Sequence, residues 1–449
     1  MGPENLALLT DLYQLTMVQA YWREEFREQA VFSLFYRKLP PRRNYVLACG
    51  LDDALRCLEG LRFHSQALEY LRSRPEFEDG FVEWLRDFRF EGDVYALPEG
   101  TPVFPEEPLL EVEAPIVQGQ LAETLVMNQI HLQTVLASKA DRVVQAASGR
   151  PVVDFGLRRM HGMDAGLKAA RAYHVAGVEA TSNVLAGQVY GVPVTGTMAH
   201  SYIQAHDSEE EAFRRFAELY PETILLVDTY DTLAGVRRVV ELARELGEDF
   251  RVRGIRLDSG DLVALAKESR RILDDAGLGQ VKIFASGGLD EDEIRRLLQE
   301  GAPVDGFGVG TSMGVSADAP SLDLAYKLSE YQGRGRLKLS SGKKILPGRK
   351  QVFREEKESG AFQDHLVQEG ESAPGRPLLR KVMAEGRRLP EGSESLDALR
   401  ERARREIDAL PPAIRSLDRA EAPYPVRPSE RLLERQERVV RALEGKGKA

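Results

Sequence analysis

Apolar residues recur at helical spacing from Asn5 to Trp22, NLALLTDLYQLTMVQAYW, where Leu8, Leu12, Leu15 and Val18 share a face. The next stretch, AVFSLFYRKLPPRRNYVLACGL, alternates like a strand as far as Tyr36. It then becomes a loop carrying Arg37, Lys38, Arg42 and Arg43. Residues 51–92 read as helical. Residues 93–120 hold spaced prolines and short apolar runs, PVFP and PLLEVEAPIV, which predict small antiparallel strands. Leu121 to Ala140 returns to helix and leads into a second region.

From Pro151 the period changes to a repeat. Short β-branched runs alternate with amphipathic helices: PVVDF, VEATSN, VPVTGT, TILLVD, GIRLD, VKIFA and VDGFGVG are the strand candidates. Leu233, Val236, Val240 and Ala243 form one helical stripe between them; Leu262, Leu265, Ala266, Ile272 and Leu273 form another. Strands alternating with helices of this length predict parallel βαβ units. The fold class is therefore α/β, and the series favours a TIM-like barrel, closed or nearly closed and with room for irregularity. A doubly wound open sheet fits the same alternation, because strand order is not written in the sequence. After about residue 335 the repeat stops. GRLKLSSGKKILPGRKQVFR is basic, with Lys338, Lys343, Lys344, Arg349 and Lys350. Residues 360–449 mix both charges, with helices predicted at LDALRERARREIDAL and SERLLERQERVVRALEG, and read as solvated packing helices ending in a disordered GKGKA. The expected division is 1–120, 121–335 and 336–449.

At 449 residues the chain is too long for one small core. Its 43% hydrophobic and 29% charged residues are those of a soluble globular protein. A net charge of −10 argues against a general nucleic-acid binder but leaves room for a local basic pocket. No apolar run approaches a membrane span, and Met1 to Gln14 lacks the pattern of a signal peptide. Cys49 and Cys57 form neither a disulfide framework nor a zinc cluster, so a reducing cytoplasm is expected.

The candidate chemistry lies at the strand exits. In order they carry Arg158 and Arg159; Ser182 and Asn183; Thr197 and His200; Asp228; Arg256 and Asp258; Ser286, Gly287 and Gly288; and Gly308, Gly310 and Thr311. In a barrel these exits share one face. Alone, His200 is better explained as a buried or capping histidine in an ordinary βα turn, and a lone glycine by turn geometry. Convergence favours a ligand. SGG and GVGT are glycine-rich turns, each opening toward a helix, where backbone N–H groups approach a phosphate closely. Arg256 offers a planar fork for a carboxylate or phosphate. Asp258 suits ribose hydroxyls, Mg²⁺ or a developing positive charge, and Asp261 a helix cap.

The stretches TDLYQLTM, FYRKLPPRRNYVLACGL, VDFGLRRMHGMDA, GTMAHSY, GIRLDSGDL, FASGGLDE, GFGVGTS and LPGRKQVFR, in this order, resemble nicotinate phosphoribosyltransferases. The resemblance covers residues 6–354 and implies a barrel flanked by an α+β domain built from both chain ends. It implies condensation of nicotinate with phosphoribosyl pyrophosphate, giving nicotinate mononucleotide and pyrophosphate, the first step of NAD salvage from nicotinic acid. ATP is a co-substrate and Mg²⁺ the cofactor. By resemblance His200 is the phosphorylated histidine, and Tyr13 stacks on the pyridine from the neighbouring subunit of a homodimer. Arg158, Thr197 and Arg256 contact nicotinate. Ser286, Gly287, Gly288, Gly308, Gly310 and Thr311 hold the phosphoribosyl phosphate, with Asp258 beside the reacting ribose. The nearest rival is nicotinamide phosphoribosyltransferase, in which an acidic residue aligns with Met198. A sugar-phosphate aldolase or isomerase would want a strand-end lysine or a paired acid and base. A non-catalytic phosphate-binding barrel is the third reading.

Overall fold

The computed structural model describes residues 3–339, 345–357 and 362–446; Lys343, Lys344 and the last three residues lie outside them. The chain divides into two compact units, Leu136–Pro320 and the combination of Met1–Val135 with Ser321–Ala449. The boundaries therefore differ from 120/121 and 335/336. The first falls inside one continuous helix, Ile116–Ala146, which local pattern could not split. The second precedes Leu324–Tyr331, which pairs with the N-terminal strand Gln29–Tyr36.

In the unit Leu136–Pro320 the strands are β1 (Val152–Asp154), β2 (Ala180–Thr181), β3 (Ile224–Leu226), β4 (Gly254–Leu257), β5 (Lys282–Ala285) and β6 (Gly306–Val309). All pairs are parallel and their order is β2-β1-β6-β5-β4-β3. Within each run the chain steps to the neighbouring strand in the same direction, and β6 returns to pair with β1 through Phe307↔Val152 and Val309↔Asp154. With right-handed crossovers, steps of one sense put every helix on one face. That is the arrangement of a barrel; a doubly wound sheet reverses its step. The sheet is open only between β2 and β3.

The opening falls where VPVTGT was expected to be a strand. That stretch supplies one isolated parallel bridge, Thr181↔Val194. Thr181 N donates to Pro193 O at 3.0 Å and Thr195 N to Thr181 O at 2.9 Å. Pro193 has no N–H, so the ladder cannot extend through it. The barrel is consequently irregular, and from Thr195 to Ala199 the chain follows its rim without forming a ladder strand.

The other unit is built on an antiparallel sheet of strands from both ends of the chain. Its order is Arg334–Gly335, Leu324–Tyr331, Gln29–Tyr36, Pro108–Pro115, Asp93–Ala96, Arg380–Ala384 and Arg387–Arg388. Gln29–Tyr36 is buried on both faces rather than alternating. Its two hydroxyls are both paired: Ser33 Oγ donates to Glu111 at 2.8 Å and Tyr36 Oη to Val103 O at 2.6 Å, while Lys350 Nζ stands 2.9 Å from Glu111. The first helix starts later than expected: a 3-10 turn, Pro3–Leu8, precedes Leu12–Arg23, and Leu12 is exposed while Leu15 and Val18 are buried. The C-terminal segment is not a solvated appendage. It adds strands to this sheet and forms a second one, ordered Arg376–Pro377, Lys350–Glu356, Phe362–Gln368 and Val426–Pro428, besides the helices Leu396–Asp408 and Glu430–Lys446. Buried Arg354 pairs at 2.7 Å with Asp364, which stands directly opposite it on the neighbouring antiparallel strand.

Candidate active site

A cavity of about 850 Å³ opens at the carboxyl ends of the parallel strands, lined by residues of this unit alone. The exit of β1 supplies Phe155 and Leu157 to Arg159; that of β2, Ser182; the rim segment, Gly196 to His200. The exit of β4 supplies Arg256 and Asp258; that of β5, Ser286 to Asp290; that of β6, Gly308 and Gly310 to Ser312. The cavity thus gathers Arg158, Thr197, His200, Arg256, Asp258, Ser286, Gly287, Gly288, Gly308, Gly310 and Thr311. Tyr13 belongs to the other unit, half exposed on its first helix, where its hydroxyl accepts from Gln14 Nε2 at 3.2 Å.

Arg256 is the most constrained of these groups. Its Nη2 donates to Met198 O at 3.0 Å, and its guanidinium carbon lies 5.5 Å from the centre of the Phe155 ring. Its Nε is buried and has no hydrogen-bond partner among the described residues. Burial pushes its pKa down, against the neighbouring Asp258 and Asp228 carboxylates, yet an arginine stays charged throughout. A buried, charged donor without a partner is costly, and a carboxylate arriving beside an aromatic ring would satisfy it. Asp258 Oδ1 accepts from Ser286 Oγ at 2.5 Å. Asp228 does not line the cavity. It stands behind Asp258, its Oδ2 accepting from Asp258 N at 2.9 Å and Ser259 Oγ at 2.8 Å. Asn183 caps the helix Val184–Tyr190, and Asp261 caps Leu262–Asp275.

The glycines separate into two kinds. A Cβ on Gly287 (φ 85°) would stand 1.7 Å from Asp258 O, and one on Gly308 would stand 2.4 Å from the Phe155 ring. Packing alone requires glycine at both. Gly288 has open space around it. The SGG turn also differs from expectation. The helix it leads to, Glu291–Gln299, is capped by Asp290, whose Oδ1 accepts from Asp292 N and Glu293 N, and its first turn is acidic. Its N-terminal field is already answered by carboxylates. The GVGT turn has no capping side chain, and its helix Thr311–Gly314 is a single turn.

Two family models match this chain. The N-terminal domain of nicotinate phosphoribosyltransferase matches residues 8–131, and the nicotinate phosphoribosyltransferase family model matches residues 151–369. The chain belongs to the nicotinate phosphoribosyltransferase family. A nicotinate phosphoribosyltransferase of Mycobacterium tuberculosis is 58% identical over 428 residues, covering 95% of this chain and 92% of that protein. The Bacillus subtilis enzyme is 42% identical over 359 residues, covering 78% and 73%. The crystal structure of human nicotinic acid phosphoribosyltransferase superposes with a TM-score of 0.85 at 32% identity, covering 97% of this chain and 99% of that one.

Within this family frame, Phe155 and Asp154 are residues to which sequence reasoning gave no role, and Arg159 was placed at a strand exit without one. Phe155 offers an aromatic face on the cavity wall beside Arg256. Arg159 adds a second exposed cation next to Arg158. Asp154 is buried and ties the exits of β1 and β2 together, accepting from Gly156 N and Thr181 Oγ1 at 2.7 Å each; burial raises its pKa. The signal was the run VVDFGLRR, an acid, an aromatic and two cations directly after a β-branched stretch. Among the described residues no group of three or more His, Cys, Asp and Glu forms a metal cage. The lining would fit Mg²⁺ held mainly by phosphate oxygens, to which Asp258 could add a carboxylate. Also among the described residues, no helix is long and apolar enough to cross a membrane.

Proposed function

We propose that the chain condenses nicotinate with phosphoribosyl pyrophosphate, giving nicotinate mononucleotide and pyrophosphate, and couples this to ATP hydrolysis through phosphorylation of His200. The observation that carries the reading is the buried, unpartnered Nε of Arg256 beside the Phe155 ring. A planar aromatic carboxylate completes both at once: ring against Phe155, carboxylate on the guanidinium, with Arg158 and Thr197 at its edge.

The ring nitrogen of nicotinate is already a nucleophile, so the pocket needs only to orient it against the anomeric carbon. Loss of pyrophosphate leaves positive charge on the ribose ring, which Asp258 stabilises while Ser286 fixes its carboxylate. Gly288, Gly310 and Thr311 border the phosphoribosyl phosphate, Ser286 also lines that side, and Gly287 and Gly308 bring the walls close. Mg²⁺, when bound, neutralises the leaving pyrophosphate. Arg158 and Arg159 add cationic charge on the same face.

A homodimer is part of the reading. Met163 and Val184 are 92% and 74% exposed, and Leu157, Leu185, Val189 and Val194 are exposed on the same unit. Clusters of exposed apolar residues of this kind mark association surfaces. Tyr13, half exposed on its own unit, is then available as a stacking ring for the partner's cavity. A cytoplasmic location fits the substrates and a chain with only two cysteines.

Nicotinate is favoured over nicotinamide because Met198 is buried and presents only a carbonyl oxygen to Arg256, with no carboxylate to repel an acid. An aldolase is disfavoured because no lysine lines the cavity among the described residues. Pyrophosphate release should be measured with nicotinate, nicotinamide and quinolinate, each with phosphoribosyl pyrophosphate and with or without ATP. Release with nicotinate, stimulated by ATP, is the expected result. Release with nicotinamide but not nicotinate would reverse the assignment.

A further inference from the structure

Resting on the ATP coupling just proposed, we infer that Thr229 is a positioning residue for His200 and that the phosphoryl group is received at Nε2 of its ring. His200 opens the short helix His200–Gln204 and lines the cavity. Its Nδ1 lies 3.1 Å from Thr229 Oγ1, while Nε2 has no hydrogen-bond partner among the described residues. Thr229 follows the exit of β3 directly. Its neighbour Asp228 grips the loop of Asp258 through the backbone N–H of Asp258 and the hydroxyl of Ser259. One dipeptide therefore holds the imidazole on one side and the ribose-facing carboxylate on the other. The orientation of the ring is set by the same strand end that sets Asp258.

The chemistry follows from the tautomer. A neutral imidazole has one N–H and one lone pair, and a hydroxyl oxygen accepts readily from the former. With Nδ1–H donating to Thr229 Oγ1, the lone pair sits on Nε2. That pair forms the bond to the terminal phosphorus of ATP. The bond from this phosphorus to its bridging oxygen breaks, and its electrons leave on ADP. No proton moves in the step. Positive charge spreads over the ring as the bond forms, and the Thr229 oxygen, accepting from Nδ1–H, stabilises it. Hydrolysis later returns the pair to Nε2 and gives the phosphoryl group to water.

Thr229→Val removes the hydroxyl at nearly constant shape, and Thr229→Ser restores it. The full chain should be incubated with ATP labelled at the terminal phosphate, the phosphoenzyme formation rate measured, and the modified nitrogen assigned by ³¹P NMR. The wild-type chain is expected to carry phosphate on Nε2. Thr229→Val should form phosphoenzyme about tenfold more slowly, Thr229→Ser within about twofold of wild type, the size expected for one charge-assisted hydrogen bond. The KM for nicotinate should move much less than the phosphorylation rate. Phosphate on Nδ1, a valine variant that phosphorylates at the wild-type rate, or a serine variant no faster than valine overturns the inference. The nitrogen assignment needs no variant, so a misfolded valine protein does not protect the idea. Absence of any phosphoenzyme in the wild type removes the ATP coupling and this assignment together; a phosphoenzyme indifferent to Thr229 removes only this assignment.

Discussion

Arg256 shows what a single residue in this cavity is asked to do. It is held by one backbone carbonyl and one aromatic ring, and its remaining buried donor waits for a ligand. Arg256→Lys keeps the charge and loses the planar fork. It should raise the KM for nicotinate by about 10- to 100-fold and leave that for phosphoribosyl pyrophosphate nearly unchanged, read from initial rates with each substrate varied. Equal effects on both would place Arg256 on the phosphate side. His200→Ala should abolish the response to ATP while slow transfer persists; an unaltered ATP response would show that the histidine has been given the wrong task. Gly308→Ala is a steric test. A methyl 2.4 Å from the Phe155 ring must move that ring, so stability should fall by about 1–3 kcal/mol in denaturant melts and the nicotinate KM should rise with it.

At the level of elements, the alternation of β-branched runs and amphipathic helices was readable, because a half-buried helix and a buried strand impose different periods. Six of the runs became ladder strands. VPVTGT did not: it contributes one bridge, Thr181↔Val194, and continues to His200 as irregular chain along the rim. The SGG turn looked in sequence like an anion-binding helix start. Its own Asp290 and acidic first turn take that place, a competition visible only once the cap geometry is known. The helix Glu291–Gln299 is also tied from beneath. Glu291 accepts from Lys139 at 2.5 Å and Arg142 at 2.8 Å, and Lys139 reaches Asp318 at 2.8 Å, all within one unit. Burial pushes the Glu291 carboxyl up, but the two cations outweigh it and hold its pKa below the usual range. A lowered folded-state pKa stabilises above the ordinary carboxylate range and is lost as pH falls through the lowered value. Glu291→Gln should therefore cost about 3–5 kcal/mol at neutral pH, because Lys139 and Arg142 lose the charge that answers theirs. The gap between variant and wild type should narrow below about pH 4, followed by thermal melts across the acid range. A gap independent of pH would mean that packing, not charge, is what the substitution removes.

For the whole molecule, the exposed apolar residues around Met163 and Val184 carry the expectation of self-association. Met163→Asp combined with Val184→Asp should convert a dimer into a monomer in sedimentation velocity. If Tyr13 acts from a partner, the same change should lower transfer activity in parallel. A double variant that stays dimeric would move the interface elsewhere. The C-terminal segment belongs to this scale as well. Read alone it is charged helix. In the structure its strands Arg380–Ala384 and Arg387–Arg388 complete the sheet begun by Gln29–Tyr36, because open sheet edges and buried apolar faces are satisfied by chain from far away.

The sequence by itself determined the βαβ repeat, the polar residues at the strand exits and the family motifs, because each depends on neighbours a few residues apart. The closure of β6 on β1, the gap after β2, the unpartnered donor of Arg256, the Thr229 contact to His200 and the split of the glycines into packing and open positions came only with the tertiary structure. These are contacts between residues tens to hundreds apart, and burial and hydrogen-bond partners at such distances are fixed by how the whole chain packs.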